Sequence, residues 1–236
     1  MSVNGLFGSS KSEEEGYWIS VSDLMSGLMI IFLFIALSYM RDVALERDKI
    51  KEVAVKYTET QVDLYEALFV EFKHDLKQWN AEIDQKTLSV RFREPDILFD
   101  IGEASLKPGF KEILTDFFQR YLKILNLKQF KDNIEEVRIE GHTSSEWRNG
   151  ISEDEAYFFN MRLSQDRTRA VLEFCLSLKE VETYRKWAKS NITANGLSSS
   201  KLIYNNDIED KERSRRVEFR VRTNAEEQIV KILQGG

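Results

Sequence analysis

The sequence predicts an α+β, α/β-sandwich domain preceded by a single transmembrane helix and a helical linker. Three features carry that prediction. An apolar run near the N-terminus is long enough to cross a bilayer. A stretch with helical spacing and no glycine or proline follows it. The remainder alternates short β-patterned runs with amphipathic helices. The expected boundaries are a short segment at 1–17, a membrane helix at 18–40, a linker at 41–85, a folded domain at 86–224 and a tail at 225–236.

The membrane helix rests on residues 19–40. Sixteen of these 22 are apolar and one is a glycine; the others are Ser20, Ser22, Ser26, Ser38 and a single charge, Asp23. About 20 such residues span the hydrocarbon core. Tyr17 and Trp18 at one end and Tyr39 near the other fit an interfacial aromatic belt. A cleaved signal peptide is the competing reading. It fits poorly, because Glu13, Glu14 and Glu15 spoil a positive leader and no small-x-small cleavage site follows. The mean hydropathy of −0.42 conceals this helix behind a charged remainder.

No glycine or proline occurs between Gly27 and Pro95. In 41–84 the residues Ile50, Val53, Tyr57, Leu64, Leu68, Phe72, Leu76, Trp79 and Ile83 recur every three or four positions, which predicts one amphipathic helix. At 1.5 Å per residue it reaches ~60 Å. Its apolar stripe suits either a parallel partner or packing on its own domain.

Next come alternating 87–92, with Leu88, Val90 and Phe92 on one face, and a short strand at 97–100. A helix begins at Pro108, where proline's missing N–H costs nothing, and runs to about Leu125. A strand at 136–140 ends at Gly141. The helix at 154–179 has Ala156, Phe159, Leu163, Ala170, Val171 and Phe174 as its apolar side. A shorter helix at 181–190, a strand at 192–197 and a strand at 216–222 complete the domain.

Composition limits the function. With 34 basic and 40 acidic residues the net charge is −6, against the basic face of a nucleic-acid binder. One cysteine rules out a disulfide framework and a multi-cysteine zinc site, and two distant histidines argue against a histidine metal site. His142 lies at a strand end without a Ser/His/Asp or Cys/His set, so it is expected to be a hydrogen-bonded structural residue. His74 is expected to face solvent, and Cys175 to be a buried thiol. The arginines at 213, 215, 216, 220 and 222 are diluted by Glu209, Asp210, Glu212 and Glu218. Neither an enzyme nor a bound cofactor or metal is expected.

Two segments resemble known families. Asp23-Leu24-Met25-Ser26-Gly27-Leu28-Met29, followed by Phe32-Leu33, resembles the membrane helix of the B subunit of flagellar stators. LFDIGEASLKPGF (98–110), IEGHTSS (139–145), NMRLSQDRTRAV (160–171) and RRVEF (215–219) resemble the OmpA-like peptidoglycan-binding domain. The phrase WISVSDLMSGLM, the linker without a separate plug and GHTSSEW in place of GHTD make the whole similar to the stator-like membrane subunits of Zorya anti-phage systems.

Asp23 is the natural centre of such a helix. A carboxylate in a membrane costs about 2.5–3.5 kcal/mol on insertion scales and persists where it pairs, protonates or lines an ion path. Ser20, Ser26 and Gly27 fall beside it at three and four residues, with Ser22 adjacent in sequence. The hydroxyls can hydrogen-bond the carboxyl, and Gly27 permits close helix approach. The resemblance implies a homodimer of these helices inside a ring of MotA-like subunits, five around two. Ions would pass by way of Asp23, Ser26 and Ser22, as protons or as sodium.

In the distal domain the resemblance implies an Asp and an Arg clamping the diaminopimelate of the cell wall. The Arg matches Arg167, whose planar fork suits a carboxylate. Asn160 and Leu163 match neighbouring binding positions, and Phe159 adds to the groove wall or to the core. The Asp position is Ser144, which offers an ammonium no charge; Glu146 or Asp166 are candidates to compensate.

Orientation is contested within the sequence. Lys11 precedes the helix and Arg41, Arg47, Lys49 and Lys51 follow it, which by the positive-inside rule favours a cytoplasmic C-terminus. A cell-wall-binding domain requires the opposite: inner membrane, N-terminus in the cytoplasm, C-terminal domain in the periplasm. Three functions compete: an ion-driven stator in anti-phage defence, a flagellar or gliding-type stator, and a passive envelope tether.

Overall fold

The computed structural model describes residues 9–93, 98–100, 102–147, 150–224 and 230. Helix α1 (Ser9–Phe72) runs without a break through 64 residues. Between Gly27 and Phe72 no glycine or proline interrupts its hydrogen-bond ladder. The chain divides into a unit of 1–52 with 231–236 and a unit of 53–230. In the first, none of 19–40 is buried, and large side chains such as Leu24, Met29, Phe32 and Phe34 stand outward all round the helix. A helix apolar on every side needs an apolar surround, either lipid or other helices.

The second unit is built on one sheet. Its strands are β1 (Ala81–Asp84), β2 (Ser89–Arg93), β3 (Ile134–His142), β4 (Ile192–Gly196) and, last in sequence, β7 (Arg216–Thr223), in the order β1-β2-β7-β3-β4. Only β3 and β4 are parallel. The helices of this unit are α2 (Pro108–Leu125), α3 (Lys128–Lys131), α4 (Glu153–Ser177) and α5 (Arg185–Asn191), with a 3₁₀ turn at Lys179–Tyr184 before α5. A hairpin of β5 (Tyr204–Asn205) and β6 (Ile208–Glu209) and a single turn α6 (Lys211–Ser214) precede β7.

Strand alternation gives the sheet two unlike faces. Val90, Phe92, Val217, Phe219, Val221, Val137 and Ile139 form the apolar one. Against it pack Phe110, Leu114, Phe117 and Tyr121 of α2 and Leu64, Leu68 and Phe72 of α1. Phe117 is the hub, 5.0 Å from Phe219, 5.1 Å from Phe92 and 5.2 Å from Phe72, in edge or tilted contacts that favour aromatic pairs. Arg120 closes the seam: it bonds Glu71 at 2.7 Å and Asp75 at 3.0 Å and lies 4.9 Å above the Phe72 ring. The opposite face is ionic. Asp84–Arg91 (2.8 Å), Arg91–Glu218 (3.0 Å) and Arg216–Glu218 (2.5 Å) make rungs across β1, β2 and β7.

Several expected elements are corrected. The helix predicted through 84 stops at Phe72 and gives way to turns at 73–80; Asn80, at a positive φ of 48°, then leads the chain into Ala81–Asp84, which pairs with β2. Leu88 is buried but lies outside β2, at φ 48° in the β1–β2 turn. The strand expected at 97–100 is reduced to a bridge from Phe99 to Leu106, and Ile97 lies outside the described residues. The tail expected at 225–236 lies outside them as well, Val230 excepted. The helix expected at 181–190 is divided between the 3₁₀ turn and α5.

Candidate functional site: the cavity beside Arg167 of α4

Helix α4 is started by Ser152. Its hydroxyl accepts from the Glu155 N–H at 3.3 Å, while the Ser152 N–H donates to the Glu155 carboxylate at 3.0 Å. This reciprocal cap satisfies two donors that would otherwise be lost at the helix end. The Ser152 N–H, together with the Ser152 hydroxyl, which donates to the same carboxylate at 2.8 Å, holds the Glu155 carboxyl below its usual range.

The face of α4 that meets the sheet is turned from the expected one. Ala156 and Val171 are buried as expected, but so are Asn160, Ser164, Thr168 and Cys175, whereas Leu163, Ala170 and Phe174 are half-buried and Phe159 is 40% exposed. The cause is distance. A Cβ on Gly196 would sit 2.3 Å from the Gln165 nitrogen, and one on Gly141 would sit 2.9 Å from the Ser164 carbonyl. Only small or compact polar residues fit at that approach, so size outweighs hydrophobicity. The polar ones are satisfied in place: Ser164 Oγ accepts from the Ser198 N–H at 3.1 Å, and Thr168 donates to the Ser164 carbonyl at 3.1 Å.

This close packing aims Arg167 at the loop before α2. Its Nε donates to the Glu103 carbonyl at 2.8 Å and its Nη2 to the Asp100 carbonyl at 3.3 Å. Its guanidinium lies 4.7 Å over the Phe99 ring. Gly102, at φ 74°, allows the turn that presents both carbonyls. Beneath Arg167 lies a cavity of about 10 Å³ lined by Phe99, Gly141, His142, Ser164 and Arg216.

Asn160 has a different place from the one expected of a groove residue. It is buried and donates to the carbonyls of Ser144 (3.3 Å) and Glu146 (3.1 Å), so it anchors the β3–α4 loop from below. Ser144 is itself buried, and Leu163 is half-buried. Phe159 stacks on Trp147 at 5.5 Å, at the rim. The two acids expected to stand in for the missing Asp are engaged elsewhere: Glu146 pairs with Lys211, and Asp166 with Arg169 at 3.3 Å.

His142 is buried at the end of β3, but neither ring nitrogen has a hydrogen-bond partner, contrary to expectation. It stands 3.7 Å from Glu140 and 3.8 Å from Glu218, a donor set of the kind that holds a divalent cation. Glu218 Oε1, however, already receives Arg216 at 2.5 Å and Arg91 at 3.0 Å, and Arg220 lies 3.9 Å from Glu140. The guanidinium groups supply the positive charge, and the cluster is part of the ionic sheet face. Burial lowers the His142 pKa. Burial alone would raise that of Glu218, but Arg216 and Arg91 hold it below its usual range. Cys175 is fully buried, and desolvation pushes its thiol pKa up.

In α1, Asp23, Ser22 and Ser26 all point outward. Ser26 donates to the Ser22 carbonyl at 2.8 Å, so in this single chain its hydroxyl proton is taken by the helix backbone rather than by Asp23.

A mixed sheet with helices on one face and an arginine groove at the strand ends defines a class. The OmpA family matches residues 98–216, and that domain is an OmpA family domain. The chain as a whole belongs to the ZorB family. It is 52% identical over 225 residues to Zorya protein ZorB of Escherichia coli (strain Crooks), covering 95% of each chain. A second Zorya protein ZorB, of Escherichia coli O139:H28, is 26% identical and is covered to 82%. Among solved structures, a putative MotB-like protein of Desulfovibrio vulgaris aligns with a TM-score of 0.45 at 21% identity, over 76% of this chain and 99% of that one. The cell wall anchor of the T6SS of Pseudomonas aeruginosa gives 0.45 at 23%, over 66% and 96%.

Sequence reasoning overlooked Ser145, Trp147 and Glu209. Trp147 closes the quoted GHTSSEW phrase, but Glu209 is 64 residues from the loop it touches, and no local pattern signals that contact.

Proposed function

We propose that the chain is a peptidoglycan-anchored, stator-like subunit of an ion-driven membrane motor in anti-phage defence. The observation that carries this reading is that one chain of the ZorB family combines an acid, Asp23, in an otherwise apolar membrane-length helix with an OmpA family domain. A tether needs the second feature and not the first. Asp23 would take up and release a proton or a sodium ion, with Ser22 and Ser26 shaping its surroundings. One elementary charge crossing 100 mV releases about 2.3 kcal/mol, and repeated transfers supply work.

As the resemblance to flagellar stators implies, two copies would supply two such helices to a ring of five MotA-like subunits, neighbours that would also shield the carboxylate in the membrane. The arginine groove of the distal domain would hold a carboxylate of the cell-wall peptide, keeping the subunit still while the ring turns. Arg167 is suited to this by its fixed fork and its support from the Asp100 and Glu103 carbonyls.

The test is Asp23→Asn, which keeps the shape and removes the charge. Phage protection should fall to the level of a strain lacking the gene, while the complex still assembles and the variant still binds sacculi. Protection equal to wild type would leave only the tether.

A further inference from the structure

His142 is a buried titratable side chain that the proposed function leaves unused. It stands at the end of β3 with only 2% of its side chain exposed, and among the described residues neither ring nitrogen has a hydrogen-bond partner. A buried polar group left in that state costs stability.

Charged groups surround it from four elements. Glu140 on its own strand lies 3.7 Å away, and Glu218 on β7 lies 3.8 Å away. Arg216, its cross-strand neighbour on β7, bonds Glu218 at 2.5 Å, and Arg91 of β2 reaches the same oxygen at 3.0 Å. Arg220 of β7 lies 3.9 Å from Glu140. Arg167 of α4 completes the set, because it and His142 line one cavity of about 10 Å³. That volume is about one water-sized sphere, so the charges on its walls act on one another with little solvent between them.

Four guanidinium groups, those of Arg91, Arg167, Arg216 and Arg220, thus stand against the two carboxylates of Glu140 and Glu218. A proton on His142 adds to the side already in excess. A carboxylate brought to Arg167 adds to the other side and favours that proton. The protonated ring has two N–H donors, and carboxylates already stand within 4 Å to receive them.

Building on the cell-wall reading above, we infer that His142 couples the arginine site to pH: a peptide carboxylate at Arg167 and a proton on His142 bind cooperatively. His142 touches no ligand and acts as a positioning residue, through the charge balance around Arg167. Linkage makes the coupling reciprocal, so acid tightens the hold on peptide and peptide draws a proton into the domain. On the proposed function, an acidic exterior is also the condition under which the inward proton gradient is steepest.

Titration calorimetry on the full chain in detergent tests this with an N-acetylated tripeptide ending in diaminopimelate, whose carboxyls and amine titrate outside pH 5.5 to 7.5. Run in two buffers of different ionisation enthalpy, it counts the protons taken up on binding. The wild type should take up a fraction of a proton and bind about fivefold more tightly at pH 5.5 than at 7.5, inside the tenfold per pH unit that one linked proton allows. His142→Asn should show neither effect. His74, the other histidine, remains in that variant as the control. Proton uptake that survives in His142→Asn overturns the inference. Wild-type binding that takes up no proton and ignores pH overturns it while sparing the cell-wall reading, and no binding at either pH sinks both. Should His142→Asn fail to fold, the imidazole resonances of His142 in the wild type decide: saturating peptide should move their titration to higher pH, and an unmoved midpoint overturns the coupling.

Discussion

His142 has its charge state set by burial. Glu140 and Glu218 would favour an imidazolium, but at 3.7 and 3.8 Å they lie beyond hydrogen-bonding distance, and Arg216 repels it. Desolvation wins, and the folded-state pKa falls below its ordinary value of 6.5. Below that pH the unfolded chain binds a proton that the folded domain refuses, so stability is complete above about 6.5 and falls as the pH drops. The acids with lowered pKa, Asp84, Glu136, Glu155 and Glu218, make their own losses only nearer the carboxylate range. Urea denaturation between pH 7 and 5 should therefore show a slope for wild type, with a ceiling of ~1.4 kcal/mol per pH unit for one proton. His142→Asn should flatten it, and parallel curves would refute this assignment. The same chemistry makes a metal unnecessary in the cluster, since three guanidinium groups already answer its two carboxylates.

Helix α4 is the element on which the groove depends, and its start is the place to weaken it with least disturbance of the packed face. Ser152→Ala removes the hydroxyl of the capping box while leaving the buried side of α4 untouched. The domain should lose about 1 kcal/mol in denaturant unfolding. Arg167 lies far enough along the helix that cell-wall binding at low denaturant should persist; unchanged stability would mean that the cap contributes nothing. The elements that were legible in the sequence share a cause with this cap: each carries its own local signal. Pro108 announces α2, alternation announces β3 and β7, and each is found within two residues of its expected bounds. The illegible ones are set from outside. β1 has four residues whose Ile83 also continues the helical spacing of Leu76 and Trp79, and only pairing with β2 decides it. The buried face of α4 is turned toward Asn160, Ser164 and Thr168 because its neighbours are glycines at strand ends, and that proximity is a tertiary fact. Arg167 lies in a phrase readable along its own helix, whereas Glu209 meets Ser145 only through a hairpin 64 residues further along the chain.

For the whole molecule, the sequence sets two rules against each other. Four basic residues closely follow the apolar span and one precedes it, which favours a cytoplasmic C-terminus. The charge rule counts short loops, and long domains translocate largely regardless of flanking charge. More than 180 residues follow the span here, so the destination of the folded domain outweighs the count. On the proposed function the groove would hold cell-wall peptide, a ligand absent from the cytoplasm. The chain should cross once, with its N-terminus inside and the OmpA family domain in the periplasm. The structure makes this simple to measure. Cys175 is fully buried and its thiol pKa is raised, so it gives little background to a maleimide. Lys189 is exposed on α5, so Lys189→Cys places one reactive thiol on the domain surface. In cells with a permeabilised outer membrane and an intact inner one, a membrane-impermeant maleimide should label that variant as fully as after lysis. Labelling that appears only once the inner membrane is broken would reverse the topology. It would also remove the cell wall as the ligand of the groove, because the groove and the wall would then lie on opposite sides of the membrane.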